Sequence, residues 1–260
     1  MNCGPMSEAA TDTTEDSFLG GQLRLRQPKS GHRAGHDAML LAAATHARLG
    51  NRVVEFGAGV GAAGLALARR VGGIGLVLVE IDPQLAALAR ENAARNAIAA
   101  DVIVLDVTTP ADAFAAHGLA PDSVDIVLMN PPFNDGGRHR ASPDQARNVA
   151  HVAEPAMLEN WVRAARRILK SGGVLTLIWR ADGLAEVFSA LDRGFGSLAV
   201  LPVHGEATKP AIRVLVRAVK GGRAPIRIEP ALMLNGVLTP ANQRVAEILD
   251  GKGVLPLALG

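Results

Sequence analysis

From residue 52 onward, short apolar runs alternate with amphipathic stretches, and this rhythm constrains the fold more than any other feature. The runs are Val53–Phe56, Leu76–Glu80, Val102–Leu105, Val124–Met129 and Val174–Trp179. They are rich in Val, Leu and Ile, as expected of strands buried on both faces. The intervening segments 61–70, 83–96, 111–117 and 155–169 have the spacing of helices. This pattern predicts parallel βαβ units in an α/β sheet. A helix is expected near 184–192 and strands near 197–203 and 211–219. The turn region His204–Pro210 is too short for a crossover helix, so those two strands should pair antiparallel. A short strand at Ile226–Glu229 and a helix starting near Thr239 complete the expected domain, 51–260.

Residues 1–17 are small and polar and are expected to form a disordered tail. Residues 18–50 read as an N-terminal extension. Gln22–Gln27 alternates as a strand with Arg24 and Arg26 on one face, and Pro28 to Gly31 is a turn. Asp37 is placed to cap a helix running through Ala38–Leu41. The 260 residues, 48% of them apolar, are ample for one large domain. Cys3 is the only cysteine, which excludes a disulfide within the chain and a Cys-rich metal site. His139 and His151 lack a metal-ligand pattern, so no metal is expected. No apolar run reaches membrane-spanning length, and the acidic start lacks the apolar core of a secretory signal. The expectation is a cytoplasmic protein without a membrane partner.

The first apolar run leads into Glu55-Phe56-Gly57-Ala58-Gly59-Val60-Gly61. A strand followed by a glycine turn and a helix lets the backbone approach a ligand, and the helix start offers free N–H groups. Glu55 at the strand end suits a cationic or ammonium ligand. Gly59 to Gly64 also satisfies the spacing of a dinucleotide loop, so the loop alone fits two cofactors. Glu80 ends the next strand, where an acid meets ribose hydroxyls in either case. Asp106 follows the third strand and can accept a hydrogen bond from an adenine amine, or serve as a loop or capping aspartate.

The run Asp125–Met129 is followed at once by Asn130-Pro131-Pro132-Phe133. An amine attached to a planar ring or carbonyl is a poor nucleophile because its lone pair is delocalised. Two acceptors aimed at its two N–H bonds hold it and favour the lone pair. The Asn130 side-chain oxygen and the Pro131 carbonyl can be those acceptors. Pro131 biases Asn130 toward an extended conformation, the paired prolines stiffen the turn, and Phe133 can stack on a flat substrate.

Together the glycine loop, Glu80 and Asn130–Phe133 resemble the class I, Rossmann-like amino-methyltransferases. Leu23-Arg24-Leu25-Arg26-Gln27 with Gly31–Leu41, and the stretch Trp161–Gly173, are more closely similar to bacterial tRNA(valine) adenine-N6 methyltransferases. The resemblance implies a mostly parallel seven-stranded sheet with an antiparallel last strand. It implies S-adenosylmethionine as cofactor, bound by Asp37, Glu55, Gly57, Ala58, Gly59, Gly61, Glu80, Ile81, Asp106 and Asn130. Asn130, Pro131, Pro132 and Phe133 would hold the target amine. The better-known members carry Tyr where Phe133 stands, and guanine-amine enzymes also use Phe.

The resulting expectation is methyl transfer to the exocyclic amine of an RNA base, with adenine beside the anticodon of a tRNA foremost. The alternatives are the glutamine amide of a peptide release factor and a guanine amine of ribosomal RNA. A nicotinamide oxidoreductase would leave Asn130–Phe133 without a role. The net charge of +2 neither demands nor excludes RNA. Cations that could meet phosphates are Arg24, Arg26, Lys29 and Arg33, then Arg138, Arg140 and Arg147, then Lys209, Arg213, Arg217, Lys220 and Arg223. Trp161 and Trp179 read as core residues.

Overall fold

A computed structural model describes residues 12–31, 33–132, 145–235 and 240–259. The chain opens with a hairpin, β1 (Thr13–Phe18) and β2 (Leu23–Pro28), followed by α1 (His36–Ala44). The alternating region is β3 (Arg52–Phe56), α2 (Ala62–Val71), β4 (Gly75–Glu80), α3 (Pro83–Arg95), β5 (Ala100–Val104), α4 (Ala111–Ala116) and β6 (Val124–Met129). Then come α5 (Gln145–Ile168), β7 (Leu169–Arg180), α6 (Leu184–Leu191), β8 (Phe195–His204) and β9 (Ala211–Lys220). Two-residue strands β10 (Arg227–Ile228) and β11 (Leu232–Met233) and α7 (Pro240–Leu249) follow, and a 3-10 turn at Pro256–Leu259 closes the described chain.

The seven long strands of the main sheet run in the order β8-β9-β7-β6-β3-β4-β5, and β10 and β11 add two short pairings to β8. β5, β4, β3, β6 and β7 are mutually parallel. β9 runs antiparallel to both β7 and β8, as its short connection requires. The sheet is therefore the expected class I methyltransferase type, with β10 and β11 as additions.

Side chains alternate across each strand, so each strand serves two cores. Val53, Leu76, Leu78, Ile126 and Leu128 pack with α1, α2 and α7 on one face. Val54, Phe56, Val77, Val79 and Val127 pack with α4, α5 and α6 on the other. Trp161 and Trp179 lie in this second core, as read from the sequence.

Three expectations change. Ordered structure begins before residue 18, because Thr13–Phe18 pairs in register with Leu23–Pro28. The reading of 1–17 as a tail missed that Thr14, Asp16 and Arg33 knit this strand to the residues that follow it. α1 begins at His36 with Gly35 at its cap position, so Asp37 lies in the first turn and does not cap it. α5 begins ahead of 155, and Pro155, which reads as a helix start, lies within it. The expectations for Phe133, Arg138, His139 and Arg140 fall outside the described residues, as does that for the Arg147 side chain.

Candidate active site

The sheet reverses its strand order at β3, whose neighbours are β4 and β6. Open α/β sheets bind ligands at such a reversal, outside the carboxyl ends of the strands. Register makes this specific here. Phe56 pairs with Met129, so Gly57 and Asn130 leave the sheet side by side. Phe56 also pairs with Val79, which sets Glu80 beside the glycine turn on its other flank. The sequence separates Glu55 and Asn130 widely, yet both line one cavity of about 260 Å³.

Gly57, Gly59 and Gly61 all have positive φ, at 62°, 55° and 84°. Only glycine adopts these angles without steric cost. The three differ in what surrounds them. A Cβ on Gly57 would lie 2.5 Å from the Trp161 ring, and one on Gly61 would lie 2.9 Å from Leu78. A Cβ on Gly59 would meet nothing within 4 Å, because that residue faces the cavity. Trp161 is thus the floor of the turn as well as a core residue. It stands edge-on to Phe56, which is edge-on to Phe114.

Pleat alternation points Glu55 toward α2, on the same face as Val53. Its Oε2 accepts the Gly64 N–H at 2.7 Å. Gly64 leaves just enough room, since a Cβ there would lie 2.7 Å from that same oxygen. Glu55 is buried, and desolvation pushes its carboxyl up from 4.5 to about 8, with the nearby Glu80 charge adding to the rise and the Gly64 and Ala63 N–H groups opposing it. A cation placed in the cavity would relieve this by favouring the carboxylate.

Glu80 is also buried. Its Oε2 accepts the Gly59 N–H at 2.6 Å and its Oε1 the Asp82 N–H at 2.9 Å. In this structure it braces the glycine turn and the start of α3. Ile81 is 61% exposed at the same edge, and Asp106 binds the Thr108 N–H and hydroxyl with one oxygen. Glu80, Ile81 and Asp106 flank the cavity along the strand ends and do not line it. The local turn at Asp106 is the loop role already open in the sequence.

Asn130 is different in kind. Its Oδ1 is buried and has no hydrogen-bond partner among the described residues. Buried acceptors are nearly always paired, so an unpaired one in a cavity wall needs a reason. The cavity wall opposite the sheet is the stretch Arg33–Ala38. Arg33 is tied down by Asp16 at 2.6 Å and by the Pro28 carbonyl at 2.7 Å. Asp37 pairs with Arg213 of β9 at 3.0 Å. Sequence reasoning missed Ala34, Gly35 and His36 as lining residues, because the segment 33–36 carries no periodicity, and Leu85, because it reads only as part of a helix.

The cations proposed for phosphate contact are mostly engaged with carboxylates. Arg26 pairs with Glu91, Lys29 with Asp12, Arg33 with Asp16, Lys209 with Glu206 and Lys220 with Asp122. Arg26, Lys29 and Arg33 thereby tie the hairpin to its surroundings.

A ligand for this cavity needs a cationic group for Glu55, tolerance of close backbone approach at Gly59, and an N–H donor for Asn130. S-adenosylmethionine with an amine substrate meets all three requirements. The methyltransferase small domain family matches residues 33–206. The tRNA1(Val) (adenine(37)-N6)-methyltransferase of Porphyromonas gingivalis is 30% identical over 66% of this chain and 68% of its own. The enzyme of that name from Dyadobacter fermentans is 26% identical over 82% of this chain and 86% of its own. A crystal structure from Agrobacterium tumefaciens, described as a predicted O-methyltransferase, is 31% identical with a TM-score of 0.68, covering 84% of this chain and 98% of that one. The chain therefore belongs to the methyltransferase small domain family, related within it to the tRNA1(Val) adenine-N6-methyltransferases, and is an S-adenosylmethionine-dependent methyltransferase.

Proposed function

We propose that the protein transfers a methyl group to the exocyclic amine of an RNA base, with adenine next to the anticodon of a tRNA as the foremost substrate. The observation that carries this reading is the buried, unpartnered Asn130 Oδ1 in the cavity wall. The names of the adenine-N6 relatives support it. In this reading Glu55, Gly57, Ala58, Gly59 and Gly61 hold the cofactor, Asn130 borders it but chiefly binds the amine, Glu80, Ile81 and Asp106 meet its nucleoside end, and Asp37 closes over it.

When bound, S-adenosylmethionine supplies an electrophilic methyl group. Asn130 Oδ1 accepts one amine N–H and the Pro131 carbonyl accepts the other. Those two bonds fix the nitrogen and turn its lone pair away from the ring. The new N–C bond would use that pair as the bond from methyl to sulfur breaks, leaving the neutral thioether S-adenosylhomocysteine; the N–H proton, acidified by the new bond, would pass to solvent, so no strong base is needed. Catalysis here is positioning plus preorganised acceptors. Phe133 would stack on the base.

Glu55 gives this reading a pH signature. At pH 7 its carboxyl is mostly protonated, since burial has pushed it up to about 8. A bound cation favours the carboxylate, so binding should release close to one proton at pH 7. Affinity should rise with pH up to about 8 and level off above, because the carboxylate is then already formed. Calorimetry of S-adenosylmethionine binding in buffers of different ionisation enthalpy measures this release. Glu55→Gln should lose this component. Identical proton release in both proteins would remove Glu55 from the cation's surroundings.

A guanine amine in ribosomal RNA is the second reading. The ribosomal RNA small subunit methyltransferase C of Hahella chejuensis is 30% identical over 50% of this chain and 31% of its own. Labelled methyl transfer to separated tRNA, ribosomal RNA and protein fractions distinguishes the readings. Label in tRNA is expected, label in ribosomal RNA alone selects the guanine reading, and label confined to protein overturns both.

A further inference from the structure

The N-terminal hairpin meets α3 through two asparagines spaced four residues apart. Asn92 Oδ1 accepts the Arg26 N–H at 2.7 Å, and its Nδ2 donates to the Arg26 carbonyl at 3.0 Å. Asn96 repeats this on Arg24, accepting at 3.0 Å and donating at 2.7 Å. The match is geometric. Four helical residues rise about 6 Å and two strand residues about 6.6 Å, so one helix face can follow one strand edge. The two carboxamides stand where a neighbouring strand would pair with β2.

They differ in one bond. Asn92 Nδ2 also donates to the Val60 carbonyl at 3.0 Å, inside the glycine turn. The second donation from Asn96 goes to the Asn92 carbonyl at 2.8 Å. Val60 lies between Gly59 and Gly61, where the backbone has the most freedom to turn a peptide plane over. Asn92 is fully buried, so its donors have no water to turn to.

We propose that Asn92 is a positioning residue for the cofactor loop: its carboxamide joins the Val60 carbonyl to β2 and holds the Gly59–Gly61 backbone in its ligand-binding conformation. The inference rests on the reading of this cavity as the cofactor site. Asn92→Asp keeps the volume and removes both donors. Asn96→Asp removes the equivalent donation to the hairpin, that to the Arg24 carbonyl, and leaves the loop bond intact, so it reports what weakened hairpin docking alone does.

The test compares both variants with the natural protein by calorimetry with S-adenosylhomocysteine, by steady-state kinetics, and by hydrogen exchange of the 58–62 amides in ligand-free protein. Both variants should melt earlier. Asn92→Asp alone should raise the dissociation constant and the cofactor KM about tenfold, with faster exchange in the loop, while kcat changes less. Asn96→Asp should stay within about twofold of the natural protein in affinity and loop exchange. If Asn92→Asp does not fold, Asn92→Ser, which keeps one donor, enters the same comparison. Equal affinity losses in the two positions, or an unchanged loop in the Asn92 variant, overturn the proposal. Failure of the natural protein to bind S-adenosylhomocysteine would instead refute the cofactor reading, and exchange on the ligand-free proteins still decides whether Asn92 holds the loop.

Discussion

Asn130→Ala should lower kcat for methyl transfer by about 10²- to 10³-fold, the usual cost of removing one preorganised hydrogen-bonding group from a reacting centre. Cofactor affinity should change far less. The side chain carries the cavity's orphan acceptor, and alanine removes it. Folding should not suffer, because no hydrogen bond to Oδ1 is lost among the described residues. Removing a buried group that lacks a partner even relieves a desolvation cost of about 1–3 kcal/mol. The combination of a similar or higher melting temperature with a large loss of kcat separates a catalytic acceptor from a packing residue. A fall in cofactor affinity as large as the fall in kcat would make Asn130 a cofactor ligand first.

Gly57→Ala should damage the protein at an earlier stage. The residue sits at φ 62°, and its Cβ would come 2.5 Å from the Trp161 ring. The conformation costs about 1–2 kcal/mol for a non-glycine residue, and overpacking adds about 1–3 kcal/mol. Trp161 cannot swing aside freely, because it is buried against Phe56. The turn must then move, and it forms the cavity wall. A clear drop in melting temperature with loss of S-adenosylmethionine binding is expected from thermal unfolding and calorimetry. Gly59→Ala is the informative contrast. It has the same backbone strain, but its Cβ enters open cavity space, so binding should suffer more than stability. Unaltered binding in both variants would mean that the turn does not contact the cofactor.

These two residues illustrate what the chain discloses unaided. The strand and helix pattern was legible because each buried parallel strand is a continuous apolar run and each helix between them is amphipathic. The glycine turn was legible because three positive φ angles demand glycine. Asn130 was legible because its chemistry depends on a local tetrapeptide. The direct adjacency of β3 and β6 was not visible locally. It follows from strand order, which pairs Phe56 with Met129 across a long stretch of chain. Asp37 was misplaced because the helix starts before it, at His36, with Gly35 extended at the cap position. The cations near the hairpin read as phosphate contacts, yet their carboxylate partners lie on other elements, as with Arg26 and Glu91. Asn92 and Asn96 were invisible for a similar reason. Their spacing is ordinary for a helix, and only the docked strand gives it meaning.

The central claim is transfer to a planar exocyclic amine, and nucleoside mass spectrometry of the methylated RNA tests it most directly. Purified protein, S-adenosylmethionine and unmodified tRNA are incubated, and the digested nucleosides are compared with a reaction containing Asn130→Ala. The account predicts N6-methyladenosine with the natural protein and almost none with the variant. Label found as ribose 2′-O-methyl, or equal methylation by both proteins, would contradict it.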